Sequence, residues 1–195
     1  MRFFRLLLLP LFLGLAACGT AYGPDGPPMA TQSEVAALER EILALGPGID
    51  PEEAARAAEI AYRHTHQLAR EYEITDPPLV HNTKVNMGLK PRGLCWHWAE
   101  DMENRLEAEA FETLEIHRAI ANADNPFRID HSTAIVSRRG DAFDEGIVID
   151  PWRKGGVLFW SPLMEDTDYG WVEQSVVHAT KRAEFLRKAR REGVR

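Results

Sequence analysis

The chain has 195 residues, a formal net charge of −7 and 27 % charged residues, which suits one globular domain with its own core. The acidic balance argues against a nucleic-acid partner, because proteins that bind nucleic acids usually present a basic surface. Cysteine occurs only at Cys18 and Cys95, which excludes a framework of several intramolecular disulfides.

The N-terminus has the organisation of a secretory signal. An apolar run from Leu6 to Leu15 follows two arginines, and at about ten residues it is too short to span a bilayer. The next residues, Leu15-Ala16-Ala17-Cys18, resemble the lipobox of bacterial lipoproteins, in which the cysteine receives the anchoring lipid. The resemblance implies a signal peptide over residues 1–17 and a membrane anchor at Cys18; Gly19 after the cysteine implies the outer membrane, facing the periplasm. The alternative is an ordinary signal peptide with an incidental cysteine.

The tether and the first helix come next. Residues 18–30 are rich in glycine and proline and are interpreted as a flexible lipid-anchored tether, followed by a single domain over residues 31–195. Thr31 and Glu34 have the spacing of a capping box, in which each side chain binds the backbone N–H of the other residue. This pattern predicts a helix that ends near Leu45.

Two further helices and a long loop are predicted in the next part of the chain. Asp50 and Pro51 form an N-cap followed by proline at the first helical position, which predicts a helix to about Glu71. Residues 73–93 contain three prolines and two glycines and are predicted to form a long loop with little regular structure. Residues 94–111 lack both proline and glycine and are predicted to be helical.

The second half of the domain carries the strand signals. Four short segments have apolar or alternating patterns, at residues 113–120, 129–137, 146–150 and 156–160. The acidic run at 165–168 is interpreted as a solvated loop, and a C-terminal helix is predicted over 176–191. Because helices come first and strands follow, the predicted fold class is α+β with an antiparallel sheet.

One cysteine and two other residues form a candidate catalytic set. Cys95 lies at a predicted helix start, where backbone N–H groups and the helix dipole stabilise a thiolate. His131 opens one predicted strand and Asp150 closes the next. These are the partners of a cysteine nucleophile, because an imidazole shares the thiol proton and a carboxylate orients the imidazole.

The segments around these residues carry a more specific resemblance. Gly93-Leu94-Cys95-Trp96, a strand histidine at His131 and Asp150-Pro151-Trp152 resemble the transglutaminase-like branch of papain-like thiol enzymes. The resemblance covers roughly residues 80–162. It implies a papain-like fold in which a catalytic helix packs on an antiparallel sheet, with Cys95, His131 and Asp150 as the triad. The aromatic residue that often follows the histidine in that family is absent here, where Ser132-Thr133 stand.

Other residues near the motifs are candidates for binding substrate. The backbone N–H of Cys95 is the first expected donor to an oxyanion, and Asn86 or Asn82 is the side-chain candidate from the preceding loop. Arg92 is a candidate for a substrate carboxylate, and Trp96 for a cleft wall. A zinc site built with His97 is disfavoured, because residues two apart on a helix point to different faces.

The predicted function is that of a membrane-anchored enzyme of the cell envelope. It would attack amide bonds in a protein or in peptidoglycan peptides through Cys95, by hydrolysis or acyl transfer, and without a cofactor. The alternative is a non-catalytic envelope lipoprotein that uses the same fold as a binding scaffold. In that case Cys95 is a core thiol, His131 a strand-end residue and Asp150 the turn residue before Pro151.

The turn between two predicted strands leads to a geometric expectation. If residues 129–137 and 146–150 form a hairpin centred between Gly140 and Asp141, then His131 lies directly opposite Asp150. Opposed side chains share a face of the sheet, so the carboxylate can reach the imidazole. A register that differs by one residue would place the two side chains on opposite faces.

Overall fold

The computed structural model describes residues 22, 23 and 25–193, so the predicted signal peptide at 1–17 and Cys18 lie outside the described residues. In this part of the chain, α-helices precede and flank one antiparallel sheet. The helices are α1 (Gln32–Ala44), α2 (Pro51–Glu71), α3 (Pro78–Asn86), α4 (Cys95–Glu107) and α5 (Gln174–Arg191).

The sheet has five strands, all paired antiparallel, in the spatial order β4-β3-β2-β1-β5. The predicted α+β class is therefore confirmed. The strands are β1 (Leu114–Ala121), β2 (His131–Arg138), β3 (Ile147–Asp150), β4 (Phe159–Pro162) and β5 (Val172–Glu173).

The first two helices begin where their capping signals predict. The Thr31 and Glu34 side chains each bind the backbone N–H of the other residue, which completes the capping box of α1. The Asp50 side chain accepts hydrogen bonds from two backbone N–H groups of the first turn of α2. Side chains therefore satisfy N–H groups that have no partner within the helix.

Apolar side chains cover both faces of the central strands. On one face, Met102 and Leu106 of α4 pack in the main core with Ala134 and Val136 of β2. On the other face, a second cluster combines Ile135 with residues of β3 and of the 163–171 segment. β2 is consequently buried along almost its whole length, and its outermost positions can hold polar side chains away from water.

The segment predicted to be a loop over 73–93 contains α3, so that prediction was wrong over residues 78–86. Pro77 takes the N-cap position and Pro78 the first helical position, where proline breaks no helical hydrogen bond. The next proline, Pro91, lies beyond the helix end. The prolines therefore set the limits of a short helix and do not exclude one.

Two strand predictions needed correction. β4 begins at Phe159, later than the predicted 156, because Gly155 and Gly156 both have positive φ angles in the preceding turn. β5 (Val172–Glu173) pairs with β1 but was not predicted, since two residues carry no alternating pattern.

The described residues of the predicted tether, within 22–30, contact the domain. The backbone N–H of Tyr22 donates to the Thr75 carbonyl at 3.2 Å, and its hydroxyl donates to the Lys154 carbonyl at 3.1 Å. Pro27 is buried next to Gly156. This segment is therefore bound to the domain. None of the helices in the described residues is long and apolar enough to cross a membrane.

Glu53 offers a test of how the helical layer is attached to the sheet. Its buried carboxylate accepts hydrogen bonds from the backbone N–H groups of Glu112 and Thr113, at 2.7 and 2.8 Å, just before β1. Burial opposes the charge, but the hydrogen bonds hold the pKa of Glu53 below its ordinary value. We expect Glu53→Ala to lower the free energy of unfolding by about 2–4 kcal/mol, because two backbone donors lose their partner.

Urea denaturation at pH 7 measures this change, with the exposed Glu52→Ala as the matched control that should shift stability little. Because the folded-state pKa of Glu53 is lowered, its contribution is present above the unfolded pKa and is lost as the pH falls through the folded value. The difference between Glu53→Ala and the native chain should therefore shrink in acid. Equal stabilities at pH 7 would contradict the assignment.

Candidate active site

The position of Cys95 depends on the glycine that precedes it by two residues. Gly93 has a φ angle of +120°, which side-chain-bearing residues rarely adopt, and a Cβ there would collide with the His81 ring. The chain can then turn sharply into α4, with Leu94 as the N-cap and Cys95 as the first helical residue. The thiol therefore belongs to the N-terminal turn of α4, as the sequence predicted.

His97 caps the start of α4 and does not belong to the candidate triad. Its Nδ1 accepts hydrogen bonds from the backbone N–H groups of Gly93 and Leu94, at 3.1 and 3.2 Å. Burial, followed by the charge of Arg92, lowers the pKa of His97, which keeps the ring neutral and Nδ1 free to accept.

Arg92, the candidate for binding a substrate carboxylate, is paired with acidic side chains of α4. Its Nη2 donates to both carboxylate oxygens of Asp101, at 2.8 and 3.0 Å, and lies 3.6 Å from Glu100. The Tyr72 hydroxyl donates to the same Asp101 carboxylate. Arg92 therefore ties the segment before α4 to the outer side of that helix.

His131 and Asp150 form a buried hydrogen-bonded pair. The distance from His131 Nε2 to Asp150 Oδ2 is 2.6 Å, and the residues expose 2 % and 0 % of their surfaces. Their strands pair in a register in which Ala134 faces Ile149, so Asp150 is aligned with Thr133 and lies diagonally from His131. The predicted register was wrong by two residues, because Phe143–Glu145 forms a 3-10 helix in place of a tight turn. A two-residue shift keeps the face, so the contact survives.

The pair shifts the pKa values of both side chains. Burial alone would lower the pKa of His131, but the charge and hydrogen bond of Asp150, with a smaller contribution from Cys95, raise it to about 9. Burial alone would raise the pKa of Asp150, but His131 and then Arg153 hold it below its ordinary value. The pair is therefore a carboxylate and an imidazolium at neutral pH.

Cys95 lies next to the start of the strand that carries His131. Its Sγ donates a hydrogen bond to the carbonyl oxygen of Asp130, the residue immediately before His131, at 3.4 Å. Nδ1 of His131 is buried and has no hydrogen-bond partner among the described residues. Since Asp150 occupies Nε2, Nδ1 is the nitrogen that remains for the thiol. The structure thus brings the three predicted residues together with His131 in the middle.

Three aromatic rings enclose the His131 imidazole. The ring centroids of Trp152, Tyr169 and Trp171 lie 4.8, 4.6 and 5.3 Å from that of the imidazole. The sequence lacks an aromatic residue directly after the histidine, and here residues 21 to 40 positions later in the chain supply the wall. Aromatic walls exclude water, which strengthens the hydrogen bond between His131 and Asp150.

Arg153 and Asp166 complete the site, and sequence reasoning missed both. Arg153 donates to Asp150 Oδ2 at 3.1 Å and forms a two-pronged ion pair with Asp166, at 3.0 and 2.6 Å. Trp171 Nε1 also donates to Asp166, at 2.9 Å. The prediction of a solvated acidic loop was wrong for Asp166, which is buried. The available signal was an arginine three residues after Asp150, which is too common a spacing to be diagnostic.

The two asparagine candidates lie in different environments. Asn86 is exposed in the last turn of α3, whereas Asn82 is buried on the preceding turn. The Asn82 Oδ1 accepts a hydrogen bond from Trp152 Nε1 at 3.0 Å, and Trp152 contacts His131. This bond fixes the amide plane of Asn82 and leaves its NH₂ group available. Trp96, the cleft-wall candidate, is 45 % exposed next to Cys95.

No group of three or more His, Cys, Asp or Glu side chains within the described residues could hold a metal ion. No protein-family model matches the chain, and neither the curated proteins nor the solved structures searched contain a significant match. The geometry of the described residues is therefore the basis for assigning a function.

The His131–Asp150 pair can be tested by titration. We expect Asp150→Asn to lower the pKa of His131 from about 9 towards or below 6.5, because the carboxylate charge that opposes burial is lost. NMR of the imidazole carbon-bound protons measures this pKa. Asp141→Asn is the matched control, since Asp141 pairs with Arg138 at the surface of the same hairpin. An unchanged His131 titration in Asp150→Asn would refute the pairing.

The free energy of unfolding should depend on pH through the same His131–Asp150 pair. Because the folded-state pKa of His131 is raised, its contribution to stability is fully present below the unfolded value of about 6.5 and is lost as the pH rises through about 9.

Proposed function

We propose that this protein is a thiol enzyme that cleaves or transfers the acyl group of an amide through Cys95, His131 and Asp150. The observation that carries the proposal is the buried His131–Asp150 hydrogen bond, which leaves Nδ1 without a partner beside a cysteine at a helix N-terminus. His64 and His81 also have a buried Nδ1 without a partner, so the proposal depends on the position of His131 between Asp150 and Cys95.

Cys95 and His131 have complementary roles in this mechanism. In the reactive form of the pair, Cys95 is a thiolate and the proton that the two residues share lies on Nδ1 of His131. The Cys95 sulfur attacks the amide carbonyl carbon and a tetrahedral oxyanion forms. As the C–N bond breaks, Nδ1 delivers its proton to the leaving amine and a thioester remains on Cys95. Asp150 holds the ring in place through Nε2 and stabilises its positive charge throughout.

The second half of the reaction restores the cysteine. Neutral His131 takes a proton at Nδ1 from water or from an acceptor amine, which attacks the thioester carbonyl. The C–S bond breaks, the acid or the new amide leaves, and the thiolate–imidazolium pair forms again. Whether water or an amine attacks decides between hydrolysis and acyl transfer, and the residues described so far serve both reactions.

The oxyanion needs two donors, and we assign them to the Cys95 backbone N–H and the Asn82 side-chain NH₂ group. The first belongs to the free N–H groups at the start of α4. Asn82 is supported by its burial and by the Trp152 hydrogen bond, which holds its carbonyl oxygen and directs the amide. Asn86 is exposed and has a weaker case.

The location and substrate class belong to the same proposal. The lipobox resemblance at Cys18 supports a membrane-anchored enzyme of the cell envelope, on the outer membrane facing the periplasm. The motifs around Cys95, His131 and Asp150 support a transglutaminase-like, papain-like enzyme. Both suggest a protein or peptidoglycan peptide as substrate. Comparing envelope proteins and stem peptides between cells with the native chain and with Cys95→Ala would identify that substrate.

The second candidate function is a binding scaffold without catalysis. It is favoured by one observation, that Cys95 exposes only 7 % of its surface and donates its S–H to a backbone carbonyl. A core thiol has these properties. The reactivity of Cys95 in the folded protein separates the two candidates.

We expect Cys95 to react with iodoacetamide in the folded protein at pH 7, measured by mass spectrometry in a Cys18→Ser background that leaves one thiol. His131→Ala should slow the labelling about tenfold, because the sulfur loses the imidazole that shares its proton in the proposed mechanism. Cys95→Ser is the control that should not be labelled. Labelling that appears only after denaturation would support the scaffold and contradict the enzyme.

A p-nitrophenyl ester provides a test of the oxyanion donors without knowledge of the substrate. The native chain should release a burst of p-nitrophenolate as Cys95 is acylated. Asn82→Asp keeps the acceptor for Trp152 but removes the donor, and should slow acylation by about 10²-fold. Iodoacetamide labelling should stay unchanged, because displacement of iodide forms no oxyanion. Asn86→Asp is the matched control, and slower acylation in that variant alone would move the assignment to Asn86.

A further inference from the structure

The outward side of α3 and of the turn that follows it forms an exposed apolar surface. Four large apolar side chains there are 44–67 % exposed: Leu79, Val80, Met87 and Leu89. The other exposed residues between 79 and 89 are Thr83, Asn86 and Gly88, so none carries a charge. In a chain of which 27 % is charged, such a surface is unusual. We call these seven residues the α3 face.

The rim of the α3 face has groups that suit a boundary between water and lipid. Lys84 and Lys90 are only partly exposed and pair with Asp76 and Glu73. Their long side chains can cover apolar surface while the charged ends stay in water. Trp96 is 45 % exposed in the first turn of α4, and Gly93, which leads into that turn, lies against His81 of α3. Indole rings prefer the interface of a membrane, where one edge is apolar and the other is wet.

The N-terminal segment is attached beside this face. Tyr22 binds the Thr75 carbonyl, three residues before α3 begins. A Cβ at Gly155 would lie 3.6 Å from Pro78, the first residue of α3, and 3.8 Å from the Tyr22 ring, so the ring packs close to the start of the helix. Three residues separate Tyr22 from Cys18, and the four Cα–Cα steps between them span at most about 14 Å.

We propose that the α3 face docks onto the surface of the lipid bilayer. The proposal rests on the lipid anchor at Cys18 that belongs to the proposed function, and it does not depend on the catalytic chemistry. A lipid at Cys18 would keep Tyr22, which lies beside the start of α3, within about 14 Å of the lipidated residue. The nearby apolar surface without charge then gains free energy by entering the headgroup region. Cys95, adjacent to Trp96, would lie near the membrane surface.

The last helix offers a contrasting surface of similar size. α5 exposes Phe185 and Leu186, at 70 and 47 %, among arginines and lysines. It follows β5, which lies at the opposite edge of the sheet from β4, whereas Tyr22 contacts the segment between β3 and β4. The position of Tyr22 therefore brings the proposed anchor closer to the α3 face than to α5. The two surfaces can be compared in one experiment.

The first experiment measures binding of the Cys18→Ser chain to vesicles of phosphatidylethanolamine and phosphatidylglycerol by co-sedimentation. We expect the double variant Met87→Glu/Leu89→Glu to lower the partition coefficient between vesicles and water by about tenfold or more, because two apolar side chains no longer enter lipid. Phe185→Glu/Leu186→Glu should change it less than about twofold. The proposal is overturned if only the α5 variant loses binding. It is also overturned if Met87→Glu/Leu89→Glu converts a dimer to a monomer in sedimentation velocity, which would make the face a self-association surface.

The second experiment uses the full chain as isolated from membranes and reconstituted in vesicles. Lipids brominated near the headgroup should quench Trp96 emission, obtained as the difference between the native chain and Trp96→Phe. No quenching would overturn docking at this face even if the lipid anchor is present. Mass spectrometry of the N-terminus reports on Cys18 separately, and iodoacetamide labelling reports on Cys95. The three proposals, the lipid anchor at Cys18, the thiol enzyme and docking through the α3 face, can thus be refuted separately.

Discussion

The hydrogen bond between His131 and Asp150 joins the start of β2 to the end of β3, and both side chains are buried. A buried imidazolium and a buried carboxylate are each costly alone, and each is stable here because the other is 2.6 Å away. The aromatic rings around the imidazole, the turn after β3 and the entry to α4 are all arranged about this pair. The unpartnered Nδ1 is the one unsatisfied position of the pair, and it lies on the side of Cys95.

The negative charge of Asp150 is shared between two cations. Arg153 also contacts Asp150, and its guanidinium continues to Asp166 while lying 3.9 Å from the Phe159 ring centroid. The buried charges therefore alternate in sign from His131 to Asp166, so none is left isolated. The consequence is a rigid support, since breaking one ion pair would leave the next charge unbalanced. Arg153 is a positioning residue, because it acts through Asp150.

The start of α4 is built by residues that resemble catalytic groups but have structural roles. His97 lies two residues from Cys95, yet its ring caps the helix with a neutral nitrogen. Arg92 precedes the cysteine, yet its guanidinium forms an ion pair with Asp101. These contacts fix the backbone around Cys95 from both sides. A nucleophile benefits from such support, because its approach to a carbonyl tolerates little displacement.

The sequence by itself determined the elements whose signals are local. Capping residues marked the starts of α1 and α2, the α+β order was readable, and Cys95, His131 and Asp150 could be chosen from their flanking residues. Tertiary structure decided what depends on residues far apart in the chain. The β2–β3 register followed the 3-10 helix at 143–145 rather than a tight turn. Tyr169 and Trp171 reached His131, and Asp166 reached Arg153, only because the segment after β4 folds over the sheet, a contact that no local pattern encodes.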